Sequence, residues 1–386
     1  MYARLISKVT LCASLLAAAA FALGATSIQS VQSGSAVSVG NGTVTVGISS
    51  VDTTRAFLFL QTRSNSSDPD GSYLSGKIAS STTLEFQQVN DAADTINIEW
   101  YVVEYASGVT VQRGEVSQSA TTVNVTLPTA VASTAPAFVL WSKRPAAGDV
   151  SYGQDDPTAG RLPSNSNLQF KVGTANTNHV IAWQVVKFDD AADVSVTTGT
   201  SSILSGTTRN VTIGTVDTAT MLVLAGFMTS DSGADVGERT LRAELASSTN
   251  ILFERMRPGD DDIDEVVYQV IEFGDGTSVQ RGNQAFTTGA SATVILTVLD
   301  EAVSVPRRGC SPERTQLRAA KCVAVATFRS TRQTRQSMVW IPALILMTTW
   351  GRSARSTSGI EAIQIGQVTR IVRCLMLTSA IRTSTR

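Results

Sequence analysis

Hydrophobic and polar residues alternate with a period of two along much of residues 25–305. Residues 43–48 and 96–100 alternate in this way, whereas residues 56–60 form a continuous apolar run. Alternation is typical of a half-buried β-strand, and a short apolar run bounded by turn residues fits a fully buried strand. Clusters of Gly, Asn, Asp and Ser separate the runs, and no segment carries an apolar stripe at helical spacing. The pattern therefore predicts an all-β protein.

The β pattern is repeated three times. An aromatic-x-Val-(Val/Ile) segment begins at residues 100, 183 and 268, and a phenylalanine precedes it at residues 86, 170 and 253. Val-Gln-Arg-Gly at residues 111–114 returns at 279–282, with Val-Thr-Thr-Gly at 196–199 in the middle copy. Repetition at a fixed period marks a tandem array. With about six strands in each copy, we predict tandem small antiparallel β-sandwich repeats of about 84 residues.

A unit of this size can enclose its own core, so we expect separate sandwiches joined like beads rather than a solenoid in which each unit needs its neighbours. Short stretches rich in Ser, Thr and Gly mark the expected boundaries. The predicted organisation is a signal peptide at 1–24, repeats at 25–120, 121–205 and 206–290, and the start of a fourth repeat with an aberrant tail at 291–386.

The aromatic segment that opens at Trp100 is apolar on both of its faces. Trp100 and Val102 point to one side of a strand and Tyr101 to the other. We therefore place this strand in the centre of its sheet, with its aromatic residues in the core. Tyr101 is also the best candidate for an aromatic side chain that stacks on a ligand, because the other copies have Gln184 and Gln269 at its position.

The first 24 residues have the pattern of a secretory signal: a charged start, an apolar run of about 14 residues and small residues before Ala25. The run is too short for a membrane span, which needs about 20 residues. Cys12 lies within this segment, and residues 25–309 contain no cysteine, so no disulfide is expected in the repeats. We predict a secreted or cell-envelope protein of bacterial type, without a membrane span after signal cleavage.

Charge separates the body of the chain from its last 81 residues. The chain has a net charge of −1, but residues 306–386 hold 14 basic and two acidic residues, and residues 1–305 hold 17 basic and 30 acidic ones. A basic arm that binds nucleic acid is one interpretation. We favour another, a fourth repeat read out of frame, because the repeat pattern stops near Val305 while arginine and cysteine become frequent. We expect a disordered tail and no nucleic acid partner.

No motif of nucleophile, metalloprotease or nucleotide chemistry occurs in the chain, and we expect no enzyme. The one histidine, His179, stands before the second aromatic segment, where we expect a solvated turn. A hydrolase that uses carboxylates is the remaining catalytic alternative. Glu99 and Glu104 are its candidates, but five residues apart on a strand they face opposite sides, and Lys187 replaces the second in copy two.

An acidic loop precedes the phenylalanine in every copy. It contains Asp68 and Asp70 in copy one, and Asp231 and Asp235 in copy three; copy two has Asp149, Asp155 and Asp156. Such loops offer the oxygen ligands that Ca²⁺ takes, although no EF-hand spacing is present. Calcium is the one cofactor that the sequence suggests, and a solvated acidic loop is the simpler interpretation.

Arg113 and Arg281 follow Val-Gln and precede Gly in copies one and three. We expect each to pair with a carboxylate across the strands, Arg113 with Glu104 and Arg281 with Glu272. Copy two lacks both members of the pair, which this interpretation explains. The alternative is a binding site for an anionic ligand in these two copies.

Residues 46–52, followed by Glu99-Trp-Tyr-Val-Val, resemble the strand pattern of H-type lectin domains. Residues 213–217 repeat part of it, whereas copy two departs at 129–133. The resemblance covers two strands per copy, and the family's sugar-contacting residues have no match here. It implies six-stranded antiparallel sandwiches that bind sugars and often trimerise.

The sequence thus favours a secreted tandem-repeat binding protein of the cell surface or envelope, with a glycan or a surface protein as its ligand, and leaves homo-oligomers open. Linked weak sites would gain avidity. The alternative is a structural surface or appendage protein whose repeats are spacers. The two differ in whether Tyr101, Arg113 and Arg281 form one exposed patch.

Overall fold

A computed structural model gives the fold of most of the repeat region. It describes residues 26–64, 70–89, 95–134, 136–149, 151–232, 236–259, 262–286, 291–292, 321–330, 343–348 and 379–380. The signal-peptide prediction and nearly all of the tail prediction lie outside these residues and stay predictions.

The first repeat unit consists of six antiparallel strands in two three-stranded sheets. The strands are β1 (Ser27–Val39), β2 (Gly42–Gly47), β3 (Ala56–Ser64), β4 (Ser75–Ser80), β5 (Thr83–Gln88) and β6 (Thr95–Ser107). Within the described residues the only helical element is a 3-10 turn at Asp70–Ser72. The long sheet has the order β1-β6-β3 and the short sheet the order β2-β5-β4. Gly40, between β1 and β2, has a φ of 65°, a conformation that glycine adopts without strain.

The second and third units repeat this arrangement strand for strand. The second consists of β7 (Val109–Gln118), β8 (Thr122–Thr126), β9 (Ala137–Arg144), β10 (Ala159–Ser164), β11 (Asn167–Lys171) and β12 (Asn176–Phe188). The third consists of β13 (Val194–Ile203), β14 (Thr208–Thr212), β15 (Met221–Met228), β16 (Arg242–Ser247), β17 (Asn250–Glu254) and β18 (Ile263–Phe273). Their long sheets are β7-β12-β9 and β13-β18-β15, and their short sheets are β8-β11-β10 and β14-β17-β16. The predictions of an all-β fold, of repeated sandwiches and of a central aromatic strand are confirmed.

The strand after the third unit, β19 (Thr277–Phe286), pairs differently from its counterparts. It runs parallel to β21 (Lys321–Ser330), which is antiparallel to β22 (Ala343–Thr348). The equivalent strands β7 and β13 instead pair antiparallel with β12 and β18. The remaining pair is β20 (Ser291–Ala292) with β23 (Ser379–Ala380). In the described residues the pairing of the repeat therefore does not continue past β19.

Strand pairing places the Val-x-x-Gly segments at residues 111–114 and 196–199 at the start of a unit. β7, which contains Val111-Gln-Arg-Gly114, lies beside β12 and not in the sheet of β6. The boundaries expected from the sequence group this strand with the unit before it, whereas pairing groups the strands as 27–107, 109–188 and 194–273. The glycine explains the arrangement. A Cβ on Gly114 would lie 2.7 Å from Cζ2 of Trp183, so the indole of β12 needs a glycine beneath it.

Each unit has a private core, the buried cluster between its own long and short sheets. In unit one this core contains Leu58, Phe86 and Trp100, all fully or almost fully buried. The equivalent clusters of units two and three contain Phe170 with Trp183, and Phe253 with Tyr268. The repeated aromatic segment and the repeated phenylalanine are thus core residues, as the sequence predicts.

The opposite faces of the three long sheets meet in one shared core. Its buried members are Phe57, Val103, Tyr105, Val109, Val111, Phe138, Leu140, Val186, Phe188, Val194, Val196, Leu222, Leu224, Ile271, Phe273 and Val279. Ring centroids of Phe57 and Phe138 lie 6.0 Å apart, and those of Tyr105 and Phe188 lie 5.3 Å apart, across the boundary between units one and two. Because the other face of each long sheet is covered by its own short sheet, the three units surround this cluster. The expectation of separate beads is wrong.

Units one and three also touch directly, since the Thr26 hydroxyl donates to the Asp193 carboxylate. None of the helical residues that the structure describes forms a segment long and apolar enough to cross a membrane.

Candidate functional site

The two arginines proposed as ligand contacts bind the backbone of the preceding unit. Arg113 Nη2, on β7, donates to the Ala56 carbonyl of β3 at 2.5 Å, and Arg281 Nη1, on β19, donates to the Met221 carbonyl of β15 at 2.7 Å. Ala56 and Met221 are the first residues of equivalent strands. Arg281 also donates to the Thr218 carbonyl. Burial lowers the pKa of Arg113 to about 10. Burial also lowers the pKa of Arg281, and the negative charge of the nearby Asp217 acts against that shift.

The prediction that these arginines form ion pairs with Glu104 and Glu272 is wrong. Glu104 accepts hydrogen bonds from the Asp52 backbone N–H at 2.8 Å and from the Ser30 hydroxyl at 2.9 Å. Glu272 accepts from the Asp217 backbone N–H at 2.7 Å, the equivalent contact in unit three. The glutamates therefore hold the loop before the third strand, while the arginines point to a neighbouring unit. The replacements Lys187 and Thr198 lie in different units, on β12 of unit two and β13 of unit three, so the absence of both residue types from copy two of the sequence does not require that they pair.

Two buried glutamines each make a pair of hydrogen bonds between units. Gln184 of β12 accepts from the Leu58 N–H at 2.9 Å and donates to the Leu58 carbonyl at 2.9 Å. Gln269 of β18 makes the same pair of bonds with Val139, at 2.7 and 2.9 Å. Leu58 and Val139 lie on β3 and β9, the edge strands of their long sheets. An edge strand presents N–H and C=O groups without a neighbouring strand, and one amide side chain satisfies both.

Tyr101 stands at the position of these glutamines in the first unit. It lies opposite Phe59 of β3 and Ser33 of β1, on the face of the long sheet that looks toward the shared core, and is 6% exposed. Burial raises the pKa of its phenol, and the negative charge of Glu99 adds to the shift. The residues predicted to contact a ligand therefore form no common exposed patch, because Tyr101 is buried in unit one, Arg113 binds unit one from β7 and Arg281 binds unit three from β19.

A polar cluster in unit two brings together the histidine and two of the acidic-loop residues. His179 lies within β12, fully buried, with Nε2 2.6 Å from Asp149 Oδ2 and 3.6 Å from Asp155 Oδ2. The expectation of a solvated histidine in a turn is wrong. Asn176 donates to the same Asp155 carboxylate at 2.9 Å. Burial lowers the pKa of His179, the Lys143 ammonium adds to the effect, and the bond to Asp149 opposes it.

The cluster offers three metal-ligand atoms, from Asp149, Asp155 and His179, within 4.8 Å of one another. One histidine with two carboxylates suits a transition metal such as zinc better than calcium, which takes six to eight oxygens. The Lys143 ammonium opposes a cation there, since it donates to the backbone carbonyls of Asp155 and Asp156. Burial raises the pKa of the adjacent Asp156 to about 6, against the effect of Lys143.

Of the four aspartates predicted as calcium ligands, Asp231 is the one whose side chain lies within the described residues. Asp68 and Asp235 lie outside these residues, and only the backbone of Asp70 is described. The Asp231 carboxylate accepts a hydrogen bond from the Asp262 backbone N–H. Calcium binding by these loops stays a prediction.

Reasoning from the sequence missed the role of Gln184 and Gln269, although their shared position was visible. The missing signal was a fourth Val-x-x-Gly segment at the start of the body, Val31-Gln-Ser-Gly34. It places the segment first in each unit, so a glycine at residues 34, 114 and 199 pairs with the aromatic residue that follows in the same unit, at 100, 183 and 268. When the repeat is divided in this way, Gln184 and Gln269 each bind the unit that precedes their own.

A scan of family models and a search of curated proteins find no match to this chain. The class that the fold itself defines is an all-β tandem-repeat protein whose units share a core.

Proposed function

We propose that this protein is an exported structural component of the cell surface or envelope, in which the repeats serve as packed building blocks rather than as separate binding sites. One observation carries the proposal: residues that recur at equivalent positions of the repeat bind the backbone of a neighbouring unit. They include Gln184, Gln269, Arg113 and Arg281.

A residue can recur because each unit binds a ligand or because each unit packs on its neighbour in the same way. The contacts of the recurring residues distinguish these two explanations. A ligand site needs polar groups directed at solvent or into a cavity. The recurring glutamines instead use both ends of their amides on Leu58 and Val139, and both are buried. The contacts support packing between units as the reason why these residues recur.

Ion pairs also connect neighbouring units. Lys77 of unit one pairs with Glu115 of unit two at 2.8 Å, and Lys171 of unit two pairs with Glu265 of unit three at 2.6 Å. Partly exposed pairs contribute little stability, up to about 1 kcal/mol, but they favour one way of placing neighbouring units. These contacts support a structural role, in which the repeats form an array of defined shape.

The experiment that tests the proposal compares the natural chain with Tyr101→Ala on a glycan array, together with fractionation of the producing cells. A structural component is recovered with the cell surface, and neither chain binds a glycan. Binding of the natural chain to one class of glycan, lost in Tyr101→Ala while the fold is kept, would overturn the proposal in favour of a lectin-like function.

A further inference from the structure

The polar cluster of unit two joins the loop between β9 and β10 to the central strand β12. The ligand atoms of Asp149, Asp155 and His179 lie within 4.8 Å of one another. His179 Nε2 is 2.6 Å from Asp149 Oδ2 and 3.6 Å from Asp155 Oδ2. A tetrahedral zinc ion with bonds of about 2.0–2.1 Å spaces its ligand atoms about 3.3 Å apart, so side-chain shifts of about 1 Å would bring the three atoms to this spacing.

The cluster holds more negative than positive charge. Asp156, next to it in the chain, is 1% exposed, and its Oδ1 accepts no hydrogen bond from the described residues. Burial raises the pKa of Asp156 to about 6, so its carboxyl group is largely ionised at neutral pH. The Lys143 ammonium offsets one of the three carboxylates and leaves two negative charges. Buried charges are paired or bind metals, and a divalent cation would balance these two.

The imidazole of the cluster favours the protonation state that a metal binds. Burial lowers the pKa of His179, and the Lys143 ammonium adds to the shift, so the neutral ring is favoured. Nδ1 is buried and has no hydrogen-bond partner among the described residues. This nitrogen can carry the ring proton, which leaves the lone pair of Nε2 for a metal. The hydrogen bond between His179 and Asp149 would then be replaced by two bonds to the ion.

The equivalent position of unit three shows that holding this loop does not require a histidine. The residue four positions before the aromatic residue of the central strand is His179 in unit two, Ile96 in unit one and Asp264 in unit three. Asp264 accepts hydrogen bonds from the backbone N–H and the hydroxyl of Ser230, in the loop after β15. Ordinary hydrogen bonds therefore hold the equivalent loop of unit three. The convergence of an imidazole with two carboxylates in unit two points to a further role.

We propose that Asp149, Asp155 and His179 bind a zinc ion, with water as the fourth ligand. Asn176 would be an outer partner, because it donates to the Asp155 carboxylate at 2.9 Å. The side chains of Asp149 and Asp155 are partly exposed, which leaves a path from solvent to the ion.

The zinc ion would restrain a loop that reaches unit three. Tyr152 Oη donates to the Arg239 carbonyl at 2.8 Å, and Gln154 donates to the Ser230 carbonyl at 2.5 Å. The two carboxylate ligands flank Tyr152 and Gln154 in the chain. Metal binding would therefore stabilise the joint between units two and three, wherever the protein is located.

Calorimetric titration of the natural, untagged chain with zinc, after treatment with a chelator, tests the site. In Asp149→Asn the amide keeps the shape and can still accept the hydrogen bond of His179, but it is a neutral and weak ligand. This variant should bind one equivalent of zinc fewer than the natural chain. Asp264→Asn is the matched control in unit three and should bind as many equivalents as the natural chain. The difference in stoichiometry removes the contribution of the four cysteines, which also bind zinc.

Two further measurements complete the test. Asn176→Ala should weaken zinc binding at this site by about 10–100-fold, as the loss of an outer partner does. Zinc should raise the thermal unfolding midpoint of the natural chain more than that of Asp149→Asn, because an ion that binds the folded state stabilises it. No zinc uptake by the natural chain, or the same stoichiometry in Asp149→Asn, would overturn the proposal. An equal shift of the two midpoints would also contradict it.

Discussion

The two faces of each long sheet bury similar side chains but differ in what holds them. The inner face packs on the short sheet of its own unit, with Phe170 and Trp183 in unit two. The outer face packs on neighbouring units, with Phe138 and Phe188 in the same unit. The inner contacts are apolar, whereas the outer ones are bordered by Gln184 and other polar groups that bind backbone.

The two kinds of contact have different roles: apolar packing stabilises the fold, whereas the polar contacts fix how neighbouring units are positioned. Apolar packing is non-directional, so it holds two sheets together without selecting one arrangement of them. A short connection, such as the one residue between Ser107 and Val109, keeps neighbouring units close but does not fix their register, so the units need directional contacts. A bidentate amide such as that of Gln269 accepts only one position of the edge strand, because both bonds must form together.

Removing an aromatic ring from either face should have the largest effect. Phe188→Ala and Phe170→Ala should each lower the free energy of unfolding by about 3–5 kcal/mol, because both rings are almost fully buried. Chemical denaturation of the full chain measures both. If units were separate beads, residue 188 would face solvent, and its substitution would cost less than about 1 kcal/mol.

Removing a buried glutamine should come next. Gln184→Ala and Gln269→Ala each leave a buried N–H and C=O unpaired, which should lower the stability by about 1–3 kcal/mol. The matched control is Gln112→Ala. Gln112 makes the same two bonds, to Thr129 of its own unit, but in an exposed position where water can replace it. A loss for Gln112→Ala as large as that for Gln184→Ala would remove the distinction between joint and surface.

A glycine under an aromatic ring tests the inner face. Gly114→Ala should lower the thermal unfolding midpoint, with a cost of about 1–3 kcal/mol, because the new methyl group meets the Trp183 ring. Gly47→Ala is the control, since nothing lies within 4 Å of its Cβ position. The two variants should therefore differ clearly, and equal midpoints would show that the indole does not rest on Gly114.

The smallest expected effect is the coupling between Glu104 and Arg113. Since the two side chains share no partner, the effects of Glu104→Ala and Arg113→Ala on stability should add to within about 0.5 kcal/mol. A double-mutant cycle measures this. A coupling above about 1 kcal/mol would restore the ion pair that the sequence suggested.

The sequence was sufficient for the strands and the repeat, because alternation of side chains and a fixed period are local signals. It also predicted that the strand from Trp100 has two apolar faces, and the second face proved to be the shared core. The arrangement of units could not be predicted, because it depends on which strand opens a unit, and a repeat can be divided at any point of its period. Because the sequence prediction placed β7 in the first unit instead of the second, it paired Arg113 with Glu104 and not with the Ala56 carbonyl.

The polar cluster of unit two shows a second limit of the sequence. Asp149 and Asp155 are visible as acidic-loop residues, but His179 follows them by more than 20 positions. Only the antiparallel pairing of β9 with β12 places the histidine beside the loop that leaves β9. Such clusters are set by strand register, which depends on the whole sheet rather than on local pattern.

The most direct test of the shared core is hydrogen exchange in increasing urea, followed separately in β6, β12 and β18 of the natural chain and of Phe138→Ala. Phe138 belongs to unit two, yet its ring contacts Phe57 of unit one. If the three units surround one core, the substitution should lower the urea midpoint of all three strands by a similar amount. A decrease confined to β12, with β6 and β18 unchanged, would contradict the shared core and restore the picture of independent beads.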